Sequence, residues 1–117
     1  MRASLLKRQW DGYPRYHQSR ANLLIHIAAV PAFEVGNVAM LLGAGLPNWR
    51  MLALGAATTV AGIVIQGKGH QVEAVPPEPF AGPADALVRI FCEQWITFPR
   101  FVFSGRWVRA FRSQLPL

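Results

Sequence analysis

Two apolar runs separated by a short turn dominate the sequence. The first, Leu23 to Leu46, is long enough to cross a hydrocarbon core of about 30 Å at about 1.5 Å per helical residue. The second, Met51 to Ile65, reaches that length only if its helix continues through residues 66–69. Because residues 47–49 leave room only for a turn, the two helices must be antiparallel neighbours. The sequence therefore predicts an all-α integral membrane protein built on a helical hairpin.

Charge is scarce and lies mainly at the two ends of the chain. Charged residues make up 15% of the sequence, against about 25% in an average globular domain. Five Lys and Arg residues precede the first apolar run, six follow the second, and only Arg50 lies between them. Because cytoplasmic flanks of membrane helices are rich in basic residues, we predict that both termini are cytoplasmic. Basic flanks also suit an anionic bilayer surface, and no motif indicates a nucleic-acid partner.

The segments outside the hairpin are predicted to be interfacial or amphipathic. Residues 1–18 form a lead-in whose helix Pro14 should interrupt, and Ser19 is a suitable N-cap for the first long helix. Residues 73–83 are rich in proline and should not be helical. The amphipathic pattern that follows predicts a helix that lies in the interface or closes over the hairpin. We expect one membrane-embedded domain over residues 1–117, with apolar segments at 23–46 and 51–69 and an amphipathic helix at 84–103.

Polar residues within the apolar runs are the candidates for function, because polar groups in a membrane are costly. At about 100° per residue, they form one stripe on each helix of the hairpin. The first stripe contains Asn22, His26, Glu34 and Asn37, and the second contains Thr59, Gln66, His70 and Glu73. We expect Glu34 and Asn37 to pack the helices together, and facing stripes would bring His26 against His70.

His17 joins these two histidines only if the first long helix begins after it. His26 follows His17 by nine positions, which on one continuous helix would place them on opposite sides. Three imidazoles with one or two nearby carboxylates suit Fe(II), Zn(II) or Mn(II). The alternative is that the histidines only form hydrogen bonds between helices, in a non-catalytic membrane scaffold.

Two motifs carry a resemblance to a known family. The stretch YHQSRANLLIHIAAVP, residues 16–31, resembles the YH...N...H...P signature of the Mpo-like 2-hydroxy fatty acid dioxygenases. The later stretch QGKGHQVEAVPPEPF, residues 66–80, is similar to the Q..GH...E...P segment of that family. The motifs occur in the same order as in the family and are separated by apolar helices.

The resemblance implies a membrane-embedded, Fe(II)-dependent enzyme that uses O₂ to shorten 2-hydroxy fatty acids by one carbon, as in fatty acid α-oxidation. It assigns His17, His26 and His70 to the metal and Asn22 and Glu73 to supporting roles in the catalytic site. A 2-hydroxy acid can chelate Fe(II) through its carboxylate and hydroxyl oxygens, and its acyl tail could lie along the bilayer surface. A zinc-dependent membrane hydrolase would need the same ligands but no O₂.

The role of Glu73 has two interpretations. It follows His70 by three residues, so on a continuing helix the two side chains share a face. Glu73 could then ligate the metal or hold a neighbouring histidine. If the helix ends before the proline-rich segment, Glu73 only marks that end in water.

Overall fold

The computed structural model describes residues 2–113, with side chains from Ser4 onward, and all regular structure in this range is helical. Its centre is an antiparallel hairpin of α2, Arg20–Gly45, and α3, Trp49–Gln71. The Ser19 hydroxyl accepts a hydrogen bond from the Asn22 backbone N–H and caps α2. The predicted N-cap and the predicted extension of the second helix beyond Ile65 are both confirmed. Within residues 2–113, α2 and α3 are long and apolar enough to cross a membrane.

Glycines allow the backbones of α2 and α3 to approach closely. A Cβ added at Gly55 would lie 2.6 Å from the Met40 amide nitrogen, and one added at Gly36 would lie 2.9 Å from the Gly55 carbonyl oxygen. Real Cβ atoms do not approach backbone atoms so closely, so these positions require glycine. Gly45, by contrast, faces open space.

Helix α1, Arg2–Tyr16, is continuous, so the prediction that Pro14 interrupts it is wrong. Proline deprives a helix of one N–H donor and crowds the carbonyl four residues earlier. Here Pro14 lies in the last turn of α1, where the helix is about to end and little further hydrogen bonding is lost. The break expected before His26 therefore occurs at residues 17–19 rather than at the proline.

The chain after the hairpin folds back over it. Residues 72–82 are not helical, as expected, and helix α4, Pro83–Cys92, begins with a proline in its first turn. A π-helical turn at Glu93–Thr97 connects α4 to α5, Phe98–Phe103, and α6, Arg106–Ser113, ends the described chain. The predicted amphipathic helix thus consists of three segments.

Contacts with α2 show that this region closes over the hairpin. The Trp95 indole N–H donates to the Asn37 side-chain oxygen at 2.9 Å, and the Phe91 and Phe33 rings meet edge to face at 5.3 Å. On α6, the Trp107 indole N–H donates to the Leu23 carbonyl at 3.1 Å. A cluster of buried residues from α1, α2 and α5 forms the hydrophobic core: Tyr13, Leu23, Val30, Phe98 and Phe101.

Candidate metal centre

The three histidines come together at the end of the hairpin where α2 begins and α3 ends. Their ring centroids are 4.7 Å apart for His17 and His26, 4.8 Å for His17 and His70, and 5.0 Å for His26 and His70. His17 and His26 are almost completely buried, with 4% and 0% of their surface exposed. His26 and His70 therefore meet, as the facing stripes predicted. His17 joins them from the link between α1 and α2.

Backbone carbonyls fix the tautomers of two of these rings. His17 Nδ1 lies 2.9 Å from the Tyr13 carbonyl oxygen, and His26 Nδ1 lies 3.0 Å from the Asn22 carbonyl oxygen. Because a carbonyl can only accept, each Nδ1 must carry the proton in these hydrogen bonds. The Nε2 atoms of the neutral rings are therefore left with free lone pairs, as in many metal-binding histidines.

Those lone pairs have no partner among the described residues. His17 Nε2, His26 Nε2 and His70 Nδ1 are all buried and accept no hydrogen bond. An unsatisfied buried polar atom costs free energy, and three of them in one place are unusual. A metal ion would satisfy all three neighbouring imidazole nitrogens at once.

Glu93 adds a carboxylate from the π-helical turn. Its Oε2 lies 3.9 Å from His17 Nε2 and 3.5 Å from the Tyr13 hydroxyl, which donates to it. One ligand atom from each of the four residues lies within 4.8 Å of the others. In a tetrahedral shell with ligands about 2.1 Å from the ion, the ligand atoms are about 3.4 Å apart, so the side chains would have to move inward by up to about 1.4 Å to complete the shell. The four residues could therefore hold a metal ion.

Burial sets the protonation of the groups that lie outside the hairpin helices. Desolvation, together with nearby His26 and His70, holds the pKa of His17 well below its usual value, so the ring is neutral near pH 7. Desolvation raises the pKa of Glu93 to about 7, and its side chain lines a cavity. A bound cation would compensate this carboxylate for the water it has lost.

Glu73 lies beside the cluster and not in it. Its carboxylate accepts backbone N–H groups of Gln18 at 3.0 Å and Ser19 at 3.1 Å, and the Asn22 side-chain amide at 2.8 Å. Glu73 therefore ties the end of α3 to the start of α2, where His17 is held. Asn22 in turn offers its backbone carbonyl to His26, and Gly69 makes room for its side chain. Both residues predicted to support the site thus contact the segments that carry its histidines.

Paired amides connect the site to the surrounding helices. The Gln66 and Gln94 side chains exchange two hydrogen bonds of 2.8 and 2.7 Å between α3 and the π-helical turn. The Thr97 hydroxyl donates to Gln9 on α1 at 2.8 Å. Residues of the π turn therefore face different partners: Gln94 faces α3, Thr97 faces α1, and Glu93 lies near His17.

The other stripe residues have packing positions. Asn37 donates to the Thr59 hydroxyl at 3.0 Å across the hairpin, as expected for a helix-packing residue. Glu34 is half-buried on α2 and is not part of the cluster.

Glu93 was not among the predicted ligands. A regular helix over residues 84–103 would place Glu93 on its polar face, together with Arg89. The π-helical turn changes the angular phase at this point, so a pattern with a regular helical period could not place Glu93. A single acid bordered by apolar and amide residues was the available signal.

Comparison with known proteins adds no family to this description: no family model, curated protein or solved structure matches the chain.

Proposed function

We propose that this protein is a membrane-embedded, Fe(II)-dependent dioxygenase that removes one carbon from 2-hydroxy fatty acids. The observation that carries the proposal is the set of three buried imidazole nitrogens without partners, His17 Nε2, His26 Nε2 and His70 Nδ1, beside the Glu93 carboxylate. Neutral imidazoles with a carboxylate suit Fe(II), and the two motifs that carry the family resemblance contain all three histidines.

The hydrogen bonds of the histidines argue against a scaffold that uses them to join helices. Such a histidine would direct a ring nitrogen to a polar group on another helix. His17 and His26 instead bond carbonyls four residues earlier in their own segments. Their second nitrogens point to the shared centre and bond nothing there among the described residues. This arrangement orients ligands and does little to hold helices together.

Exposed apolar surface supports a membrane location for the hairpin. Leu41 on α2 and Leu54 on α3 are 75% and 69% exposed, and only 28% and 17% of the most apolar windows of these helices is buried within the protein. Lipid would cover this surface. The proposal includes the orientation expected from the basic flanks, with both termini in the cytoplasm and the metal centre at that end of the hairpin.

The reaction balances without an external reductant. R–CH(OH)–COOH and O₂ give R–COOH, CO₂ and H₂O, so the substrate carbons supply all four electrons that O₂ accepts. Bound Fe(II) would supply O₂ activation beside the C1–C2 bond. The chain would hold the ion through four side chains, and burial keeps the His17 imidazole neutral.

Turnover by the purified protein tests the proposal. The protein in lipid nanodiscs is loaded with Fe(II) without oxygen and is given a 2-hydroxy fatty acid and then air. We expect a fatty acid one carbon shorter, one CO₂ per O₂ consumed, and no product without O₂. Hydrolysis of an ester or amide lipid with Zn(II), independent of O₂, would instead identify a zinc hydrolase.

Histidine variants connect activity to the site. Replacing His17, His26 or His70 by Ala should each lower bound iron substantially and abolish turnover, because too few donors then remain to hold a divalent ion. Asn37→Ala, which removes a half-buried amide from α2 away from the centre, is the matched control and should keep the metal. If all three histidine variants retain the metal content of the parent, the proposed centre is wrong.

A further inference from the structure

A cavity of about 340 Å³ opens onto the metal centre from the side of α1. Three of the four candidate ligands line it: His17, His70 and Glu93. The part of α1 that lines it consists of residues on one helical face: Leu5, Arg8, Gln9, Gly12, Tyr13 and Tyr16. Leu5 and Tyr16 are separated by about 16 Å along the helix, so the cavity is a channel that runs beside α1.

We propose that this channel binds the acyl chain of the substrate, with the polar end of the substrate at the metal. This inference rests on the proposed function for the identity of the ligand. The volume lies near the lower end of the range of about 300 to 1,000 Å³ that is typical for small-molecule pockets. The channel therefore suits a single unbranched chain, as in a free fatty acid, and not the two chains of a membrane phospholipid.

The walls of the channel suit an apolar ligand. Ile63 on α3, Ile90 on α4 and Phe80 in the link between them provide apolar surface. The amides that also line the channel are occupied, since Gln66 and Gln94 bond each other and Gln9 bonds Thr97 and the Arg89 carbonyl. An acyl chain therefore need not displace water from these amides.

Arg89 fixes the outer wall, which is formed by the proline-rich link. Its guanidinium donates to the carbonyl oxygens of Glu78 and Pro79, both at 2.8 Å, and lies 4.5 Å from the centre of the Phe80 ring. Asp85 accepts from the Ala81 backbone N–H at 2.9 Å and from Arg89 at 3.2 Å. The wall is thus held in place before any ligand binds, which lowers the cost of binding.

A second apolar groove, of about 690 Å³, lies on the hairpin between α2 and α3 and is lined by residues such as Ala28 and Ala57. None of the four candidate ligands lines it. An acyl chain bound in this groove would have no continuous path to the metal through the groove. The channel beside α1 is therefore the acyl site, in place of the path along the bilayer surface that the sequence suggested.

Two glycines allow the channel to be blocked without disturbing the packing. A Cβ at Gly12 would meet only the Tyr16 ring, at 3.3 Å, and one at Gly67 would meet nothing within 4 Å. Gly12→Leu and Gly67→Leu should therefore fill the channel from opposite walls while leaving the histidines in place. Gly45→Leu is the matched control, because Gly45 also faces open space but lies at the other end of α2, outside the channel.

The test uses a 2-hydroxy fatty acid with a diazirine near the end of its chain, photolysed with the Zn(II)-loaded full-length protein in nanodiscs. We expect adducts on Leu5, Arg8 and Phe80, and about a tenfold or greater loss of labelling in Gly12→Leu and Gly67→Leu. Excluding only about two methylenes from the channel is enough for such a loss. Gly45→Leu should label like the parent, and all three variants should retain the parent metal content.

The outcomes separate this inference from the proposed reaction. Adducts mainly on Ala28 and Ala57, or unchanged labelling in both channel variants, would overturn the channel whether or not the protein turns over its substrate. Labelling in the channel that Gly12→Leu blocks, in a parent that shows no turnover with Fe(II), would support the channel and refute the dioxygenase.

Discussion

At the scale of single residues, the site depends on groups that never need to touch a metal. The carbonyls of Tyr13 and Asn22 select the free nitrogen of His17 and His26. Glu73 holds the segment between His17 and His26, because it accepts hydrogen bonds from two backbone N–H groups and the Asn22 side-chain amide there. The sequence left two interpretations of Glu73 open, and these contacts favour the one in which it positions histidines. Glu73 does so by bonding the backbone between the histidines and not by bonding a ring nitrogen.

Replacing Glu73 by Gln should weaken metal binding by about 10- to 100-fold, the usual cost of losing a group that supports metal ligands. The amide keeps the size of the carboxylate but removes its charge and one of its acceptor oxygens, so Gln18, Ser19 and Asn22 cannot all stay bonded. Metal affinity, measured by titration with a competing chelator, checks this.

Glu78→Gln is the control for Glu73→Gln, because Glu78 is an exposed acid in the same link. It should bind metal like the parent. Parent-like affinity in Glu73→Gln would remove Glu73 from the support of the site, and complete loss of metal would indicate that it is a ligand.

The direction of a functional side chain could be predicted from the sequence only on a regular helix, where the helical period fixes it. His26 and His70 lie on stripes of regular helices, so their meeting followed from angular arithmetic once the hairpin was assumed. Glu93 lies after a proline-rich link and within a π turn, and neither has a period from which a direction can be calculated. Its approach to His17 depends on long-range contacts such as the Gln66–Gln94 pair.

At the scale of elements, the hairpin is built on backbone contact. Gly36 and Gly55 let α2 and α3 approach until a methyl group would overlap the opposite backbone. The apolar runs and the short turn predicted this pairing correctly. Continuity of α1 through Pro14 was not predictable in the same way, because the cost of a proline depends on how near it lies to the end of its helix.

Gly55→Ala should destabilise the hairpin by about 1 to 3 kcal/mol, because the added methyl must push apart backbones that no side-chain rotation can move. Gly45→Ala should be neutral or stabilising, since alanine favours helix over glycine by about 1 kcal/mol and has open space at this position. Unfolding free energies measured by steric trapping in bicelles compare the two. Equal stability of both variants would contradict the close packing at Gly55.

At the scale of the whole molecule, the proposed orientation predicts opposite accessibility for the turn and the C-terminal helix. Cys92→Ser first removes the only native cysteine. In that background, Asn48→Cys should react with a membrane-impermeant maleimide only from outside intact cells, and Ser113→Cys only after the cytoplasmic side is opened. Labelling of both cysteines from the same face would contradict the hairpin topology.

Metal should also stabilise the complete fold, because its ligands come from α2, α3, the link after α1 and the π turn. Binding at a free metal concentration about 100 times the dissociation constant adds about 2.7 kcal/mol to the free energy of unfolding. A chelator should therefore lower the Tm of the parent clearly and that of His26→Ala very little. Equal shifts in the two proteins would indicate that the stabilising ion binds elsewhere.

The spread of the four ligands along the chain sets an order of events during biosynthesis. His17, His26 and His70 emerge from the ribosome before the link and α4, which cover them, and Glu93 follows only after α4. In the proposed orientation, the hairpin could enter the bilayer while its imidazoles are still open to the cytoplasm. Loading with the proposed metal would then be completed only after insertion, when α4 and the π turn fold back, and supply of the ion would be a late maturation step.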